Sequence, residues 1–474
     1  MSSASMLLNS NICRTLRGLS LVTRPSAGPG VWLPLLLPSA IILSDLKTAG
    51  SSDQYHLSAL LCGTLLSSVV MFLLLHMYTS AYISLASVKS STFVLAAFTS
   101  LRLYLFNKRG LIFSILSSCV ASFGLGYGTV ALLKACPQCF TFGEACLVTQ
   151  ALILFLFSSV NNVYSSWSHT PSTDLDIATI ILQVGLLGIA IICTVTYFIP
   201  AARSVVPFYS VVTAVLVIGV IPVLHVLLKA SPVLWILQLL ISTLETVCVI
   251  VYWVACCVMA VLAIAHQINA EKKASTVVRK YFHILAVAVY IPGLIYTCCL
   301  LYLASGIILA AFIMLELLRI LNIPPLAPVL QDGFAVYADE KDAGNLALTP
   351  IYLLAGCSMP IWLHPLGCLS IDFLLPLLSG VLSIGVGDTM ASTAGTYMGY
   401  HKWPGSRKSV EGTFACMAGQ MVIIVFLISL GYLDSCPYDI TKMFGAVIAT
   451  SLVEAMTDQV DNLVLPLIAY IVLI

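Results

Sequence analysis

The stretch PVLWILQLLISTLETVCVIVYWVACCVMAVLAIA, from Pro232 to Ala265, contains one charged residue, Glu245. It exceeds the ~20 apolar residues that carry a helix across a hydrocarbon core. Such a run belongs in lipid, either as one strongly tilted helix or as two shorter pieces. Upstream of it, further apolar runs begin near Val31, His56, Ser91, Gly110, Glu144, Leu175 and Val205. Downstream, they cover about 283–303, 305–321, 348–364, 367–385 and 413–433, with a last span through Ala446. The piece at 348–364 is short and interrupted by Pro360.

Composition agrees with that reading. Of 474 residues, 60% are hydrophobic and 9% charged, and the mean hydropathy is +1.04. Soluble domains carry roughly 25% charged residues, and no polar stretch here is long enough to form one. The net charge of +1 says nothing about nucleic acid, and the sequence has no basic patch with interleaved aromatics to suggest such a partner. The expected fold is therefore all-α, a polytopic integral membrane protein with about 13 to 15 segments. Its character changes at His266, which divides a multi-span region, 1–265, from a more polar membrane region, 266–474.

Cysteines in apolar runs, among them Cys193, Cys248, Cys256, Cys257, Cys298 and Cys299, read as small hydrophobes. Cys136 and Cys139 have redox or half-zinc spacing, but no second pair completes a site. The first 30 residues carry Arg14, Arg17 and Arg24 and no acid. That bias resembles a presequence, although a basic tail on the cytosolic side of the first span explains it more simply. Arg102 and Glu245 stand out as buried-charge candidates. Glu316 and Arg319, three apart, form a local ion pair. His76, His225 and His364 have no partner visible in the sequence.

The polar stretch HQINAEKKASTVVRKYFH, 266–283, reads as a helix reaching an interface, with Thr276, Arg279, Lys280 and His283 on one face. A polar loop, 331–345, contains Asp339, Glu340 and Asp342. The third polar cluster, GVGDTMASTAGTYMGYHKWPGSRKS, runs from Gly385 to Ser409. It places Asp388 after two glycines, then Ala391, Ser392, Gly395 and Gly399 on a small-residue face, then Lys402, Arg407 and Lys408. Pro404 and Gly405 make a turn able to bend around a phosphate, and Trp403 offers a face for a base. No Walker A sequence occurs. The fourth cluster holds Glu454, Asp458, Asp461 and Asn462, where Asp458 and Asp461 suit a Mg²⁺ site completed by phosphates. Two spans separate each polar cluster from the next, so all four face one side, and the Lys/Arg excess makes that side cytosolic.

These motifs closely resemble the dolichol kinase family. The residues that carry the resemblance are VVRKYFH, DEKDAGNLALTPIYLLAGCSMP, GVGDTMASTAGTYMGYHKWPGSRKSVEGT and VEAMTDQVDNLVLPL, across about 270–474. Phytol kinases and CTP-dependent diacylglycerol kinases share the Gly-Asp and Lys-Ser motifs. The resemblance implies an endoplasmic-reticulum enzyme that transfers the γ-phosphate of CTP to dolichol with a divalent metal such as Mg²⁺, supplying the lipid carrier for glycosylation. It implies a CTP-binding segment comprising Gly395, Thr396, Gly399, Tyr400, His401, Lys402, Trp403, Pro404, Gly405, Ser406, Arg407, Lys408, Ser409 and Glu411. Asp388, Lys408, Glu411 and Asp461 are the implied catalytic residues, and Asp388 and Asp461 the metal ligands. Arg279, Lys280 and His283, on one helix face, are additional candidates for phosphate contact, with a structural donor the alternative role for His283. Arg407 departs from the family pattern, which has lysine there, and keeps the charge with a different geometry. Rival readings are a kinase for another lipid alcohol, a cytidylyltransferase, and a transporter. The first half resembles the family's multi-span N-terminal part and reads as a groove for the polyisoprenoid.

Overall fold

The computed structural model describes residues 3–25, 27–78, 85–106, 110–168, 170–269, 273–338, 342, 344–369, 373–434 and 436–474. Lys272, Asp339 and Glu340 lie outside the described residues. The chain is built of helices, with no strand among the described residues and one isolated bridge between Lys402 and Ser409. Among the described residues, nine helices are long and apolar enough to cross a membrane. Shorter apolar helices, Thr349–Leu363 and Asp461–Leu473 among them, complete the bundle.

The Pro232–Ala265 run resolves into two pieces. Pro232–Leu240 is a short helix capped by Ser231, and Leu244–Asn269 is a full-length span. Glu245 is not a buried charge: it is exposed in the first turn of the longer helix, where an acid is favoured by the helix dipole. Arg102 is half-buried over Gly63 of the helix Asp53–Tyr78. The polar stretch 266–283 is not one helix. The span ends at Asn269, and a new helix, Thr276–Tyr296, begins behind a Ser275 cap whose hydroxyl accepts from Val278 N at 3.2 Å. The next boundary falls at Thr297, where the backbone leaves helical geometry, so the following span is Cys298–Ile320.

Two sequence readings are corrected here. Cys298 is not a lone hydrophobe but forms a disulfide with Cys368. The arginine-bearing N-terminus is not a free tail. Its helix Ser3–Gly18 buries Leu8, Ile12 and Leu16 at four-residue steps, and Arg24 is itself buried. Cys136 and Cys139 sit in the bend between Leu111–Ala135 and Phe142–Ser168, where Cys139 packs into the core and burial pushes the Cys136 thiol up to about 11.

The helices alternate in direction, so the polar clusters collect at one end. Lys280 and His283 lie near the start of Thr276–Tyr296, Glu316 and Arg319 near the end of Cys298–Ile320. The 331–345 region comes back to the same end: Ala274 N donates to Val336 O at 3.0 Å, and Phe282 and Tyr337 meet edge to face. Arg319 donates through Nε and Nη2 to the two carboxylate oxygens of Glu316 at 2.9 and 2.7 Å, as their spacing suggested. At the opposite end lie the disulfide, the Tyr296–Tyr432 contact, and Lys442 with Ile474 O. Hydrophobic cores hold the two halves of the chain together. One of them joins Leu8, Leu61 and Ala145 to Tyr352, Val464 and Tyr470.

Candidate functional site

Asp388 ends a π-helical turn, Val381–Asp388, that continues into the helix Thr389–Met398. Such turns interrupt regular hydrogen bonding and recur at functional sites. The glycines before the aspartate explain how it becomes so enclosed. A Cβ on Gly385 would strike Val287 of the helix Thr276–Tyr296, and one on Gly387 would strike Gln420 and Cys416 of Val410–Ser429. Two helices therefore close on the turn from different sides, leaving Asp388 6% exposed.

A buried carboxylate needs partners, because an unpaired ion there costs several kcal/mol. Lys280 Nζ pairs with Asp388 Oδ2, and His283 Nε2 approaches the same oxygen at 3.4 Å. Asp388 Oδ1 accepts no hydrogen bond among the described residues. Nearby, the buried Thr389 hydroxyl and His283 Nδ1 also have no hydrogen-bond partner among them.

The second charged group is built by the loop after Met398. Trp403 N donates to Lys408 O and Ser406 N to Trp403 O, both at 3.0 Å, and Gly405 turns the chain with φ +73°. Ser409 caps the next helix by accepting from Gly412 N at 3.1 Å, a contact contributing about 1 kcal/mol. This tight loop aims Lys408 inward. Its Nζ lies 2.8 Å from Glu454 Oε1 and 3.4 Å from Asp461 Oδ1. Burial alone lowers the Lys408 pKa, but the Asp461 and Glu454 charges outweigh it and hold the ammonium above its ordinary value. Asp388 contributes to the same field.

The geometry thus gathers Lys280, His283, Asp388, Lys408 and Asp461. It adds Glu454, whose burial at 5% exposure marks it as part of the cluster. In the sequence Glu454 belonged to the fourth polar cluster but had no role assigned to it. Other named positions have different neighbours. Gly395 and Gly399 face Ser409, and Gly412 approaches Ala391 O, so the small-residue face packs helix against helix. Glu411 holds His401, whose Nδ1 lies 2.6 Å from Oε1 and whose backbone N also donates to the carboxylate. Trp403 Nε1 donates to Thr413 Oγ1 at 2.9 Å. Lys402, Pro404, Gly405 and Arg407 are exposed on the loop, Tyr400 is 85% exposed beside them, and Thr396 is exposed one turn earlier. Asp458 does not join Asp461: its carboxylate accepts from Gly28 N at 2.6 Å and Gln459 Nε2 at 2.6 Å. Arg279 lies on the same helix as Lys280, one residue before it.

The membrane-length helices define a multi-pass membrane protein, with cations and carboxylates interleaved at one end of the bundle. Comparison with known proteins makes the assignment specific. The dolichol kinase family model matches residues 117–359. A mouse dolichol kinase is 36% identical over 361 residues, covering 73% of this chain and 67% of its own. The human dolichol kinase is 36% identical over 365 residues with the same coverage, and one from Arabidopsis thaliana is 31% identical over 376 residues, covering 72% of this chain and 65% of its own. No solved structure matches. The chain belongs to the dolichol kinase family. The family-model match ends before Asp388, so the roles of the site residues rest on the geometry and motifs above.

Proposed function

We propose that the chain transfers the γ-phosphate of CTP to the terminal hydroxyl of dolichol, giving dolichyl phosphate and CDP. The observation that carries the site assignment is the meeting of Lys280, Asp388, Lys408, Glu454 and Asp461 across four helices and a loop. Family membership supports the lipid alcohol as acceptor. Phosphoryl transfer requires positioning and charge neutralisation more than covalent chemistry, and this cluster is suited to both.

Lys402, Arg407 and Lys408 hold the triphosphate in this reading, with Lys280 at the transferred group. The Arg407 fork offers paired donors, whereas the lysines act as point charges. Among the described residues no three metal-ligating side chains converge into a protein-only cage. The acidic donors are all oxygens, and Mg²⁺ is commonly bound by one or two carboxylates with phosphates completing its shell. The residues therefore fit a Mg²⁺ ion held by Asp388 and Asp461, which would neutralise charge on the phosphate oxygens. Asp388 serves either as that ligand or as acceptor of the dolichol hydroxyl proton, and both roles need its negative charge.

The site faces the cytosol and the membrane is that of the endoplasmic reticulum in this proposal. Two independent features support the orientation. Lys273, Arg279 and Lys280 together with Lys402, Arg407 and Lys408 give the site end a basic excess. The Cys298–Cys368 disulfide lies about 25 Å away along the helix axis, and disulfides persist in oxidising compartments such as the lumen. Residues 266–474 supply most of the chemistry, and 1–265 the lipid-facing part. A cavity of about 250 Å³ lined by Leu16, Leu21, Val31, Phe72 and Phe142 supports seating isoprene units there.

Purified protein incubated with γ-labelled CTP and dolichol tests the reaction. Labelled dolichyl phosphate and CDP are expected, with ATP a poor donor. Pyrophosphate release would establish a cytidylyltransferase, and equal turnover with ATP would remove the nucleotide assignment.

A further inference from the structure

Arg24 and Glu144 form an ion pair at 2.6 Å, 5% and 0% exposed, outside the charges assigned to phosphate. A hydrophobic pair would hold the segment after the first helix against the start of Phe142–Ser168 as well or better, because burying both ions costs several kcal/mol. What Glu144 does that a hydrophobe could not is accept hydrogen bonds. Oε1 takes the backbone N–H of Val460 at 3.0 Å, and Oε2 takes that of Thr141 at 2.9 Å.

Val460 is the residue immediately before Asp461 and the N-cap of the helix Asp461–Leu473, which has no side-chain cap of its own. The first N–H groups of a helix lack intrahelical partners, so the position of this helix start depends on outside contacts. They come from the first third of the chain. Arg24 Nη2 reaches Asp458 O at 3.5 Å, Thr141 Oγ1 donates to Gln459 Oε1 at 2.7 Å, and Gln459 Nε2 donates to Gly28 O at 3.1 Å. The approach is close enough to demand glycine. A Cβ on Gly143 would overlap Gly30 O, and Gly30, at φ +64°, lies against Gln459. Every residue of the turn 458–460 is therefore fixed by Arg24, Gly28, Thr141 or Glu144.

We propose that Arg24 and Glu144 are a positioning pair that sets Asp461 against Lys408 for phosphoryl transfer. The N-terminal region thereby contributes to the reaction geometry as well as to lipid contact. The inference rests on the assignment of Asp461 to the reaction.

The test uses the full-length enzyme in lipid with CTP and dolichol, comparing Glu144→Gln, Asp461→Asn and the double variant. Catalytic geometry is sensitive to sub-ångström shifts, so Glu144→Gln is expected to lower kcat on the order of 10-fold, with KM for CTP unchanged. On the Asp461→Asn background it should add no further loss, because the two act through one group. Arg24→Lys, which keeps the charge, should retain most of kcat. Unchanged kcat per folded molecule in Glu144→Gln, or losses that multiply in the double variant, would overturn the proposal. An unimpaired Asp461→Asn beside a slow Glu144→Gln would instead remove Asp461 from the reaction. Should Glu144→Gln fail to fold, Thr141→Val removes the bond to Gln459 and the 3.2 Å cap on Glu144 N while leaving the Glu144 carboxylate in place. It should show the same kcat-only loss at smaller size, and wild-type kcat there would also refute the pairing.

Discussion

Replacing Lys408 with methionine keeps the length of the side chain and removes its charge. The ammonium lies 2.8 Å from Glu454 and 3.4 Å from Asp461, with side-chain exposures of 28%, 7% and 10% in that order. Removing one partner from a fully buried pair costs about 3–5 kcal/mol. Water reaching Lys408 reduces this, so the expected loss of stability is about 2–3 kcal/mol. A second loss falls on the nucleotide. One charged hydrogen bond to phosphate contributes about 1.5–3 kcal/mol, which corresponds to ~10- to 150-fold weaker CTP binding. Thermal midpoint in detergent and the Kd for CTP read the two effects separately. Adding Glu454→Gln removes one of the two stranded carboxylates. The double variant should regain much of the lost midpoint while CTP binding stays weak. Wild-type midpoint and wild-type CTP affinity together in Lys408→Met would refute the reasoning, as would recovery of affinity in the double variant.

The same residue carries a pH expectation. Its folded-state pKa is raised, because the Asp461 and Glu454 charges outweigh the lowering by burial. A raised value means the stabilisation is complete below the ordinary lysine pKa near 10.4 and is lost only as pH rises through the folded one. The midpoint difference between wild type and Lys408→Met should accordingly be flat between about pH 6 and 9. A difference that declines across that window would show that Lys408 is not held charged by its partners.

Three further expectations address the carboxylates, the orientation and the packing. Asp388→Asn should lower turnover by on the order of 10²-fold or more, as expected for a lost general base or metal ligand; a folded variant near full activity would remove Asp388, and if only Asp461→Asn is inactive the essential carboxylate lies on the last helix. Impermeant thiol reagents applied to sealed vesicles should reach single cysteines placed at residues 274, 336 and 407 from the cytosolic face, and Cys298 and Cys368 only from the lumen after reduction. Labelling of any one of the first three from the lumen breaks the single-site arrangement. Gly356→Ala would press a methyl group into Asn462 O, next to Asp461, so it should reduce kcat or yield, and wild-type behaviour in both would show that the helix start at Asp461 tolerates displacement.

What could be read from the sequence depended on how far apart the interacting residues lie along the chain. Glu316 and Arg319 are three residues apart, and their spacing alone gave the pair that the structure contains. The Gly-x-Gly-Asp turn was conspicuous because charge is scarce around it, and even-numbered crossings brought its partners to one end. Crossing counts, however, fix only which end a residue occupies, not what it touches. Asp458 and Asp461 have helical spacing, yet a bend separates them, and the first serves Gly28 while the second serves Lys408. Glu454 and Lys408 are 46 residues apart, and Arg24 and Glu144 are 120 apart. Nothing in local periodicity distinguishes these from a snorkelling lysine or a solvated helix end. Cys298 was obscured for a related reason, since an apolar run looks the same whether its cysteine packs or pairs with Cys368. A physical rule would still have narrowed the choice. In a chain this poor in charge, an acid inside an apolar run requires a partner, and Glu144 opens such a run. Arg24 is one of the few N-terminal cations able to supply that partner, and tying it to Glu144 brings residues 24–30 over the turn that leads into Asp461.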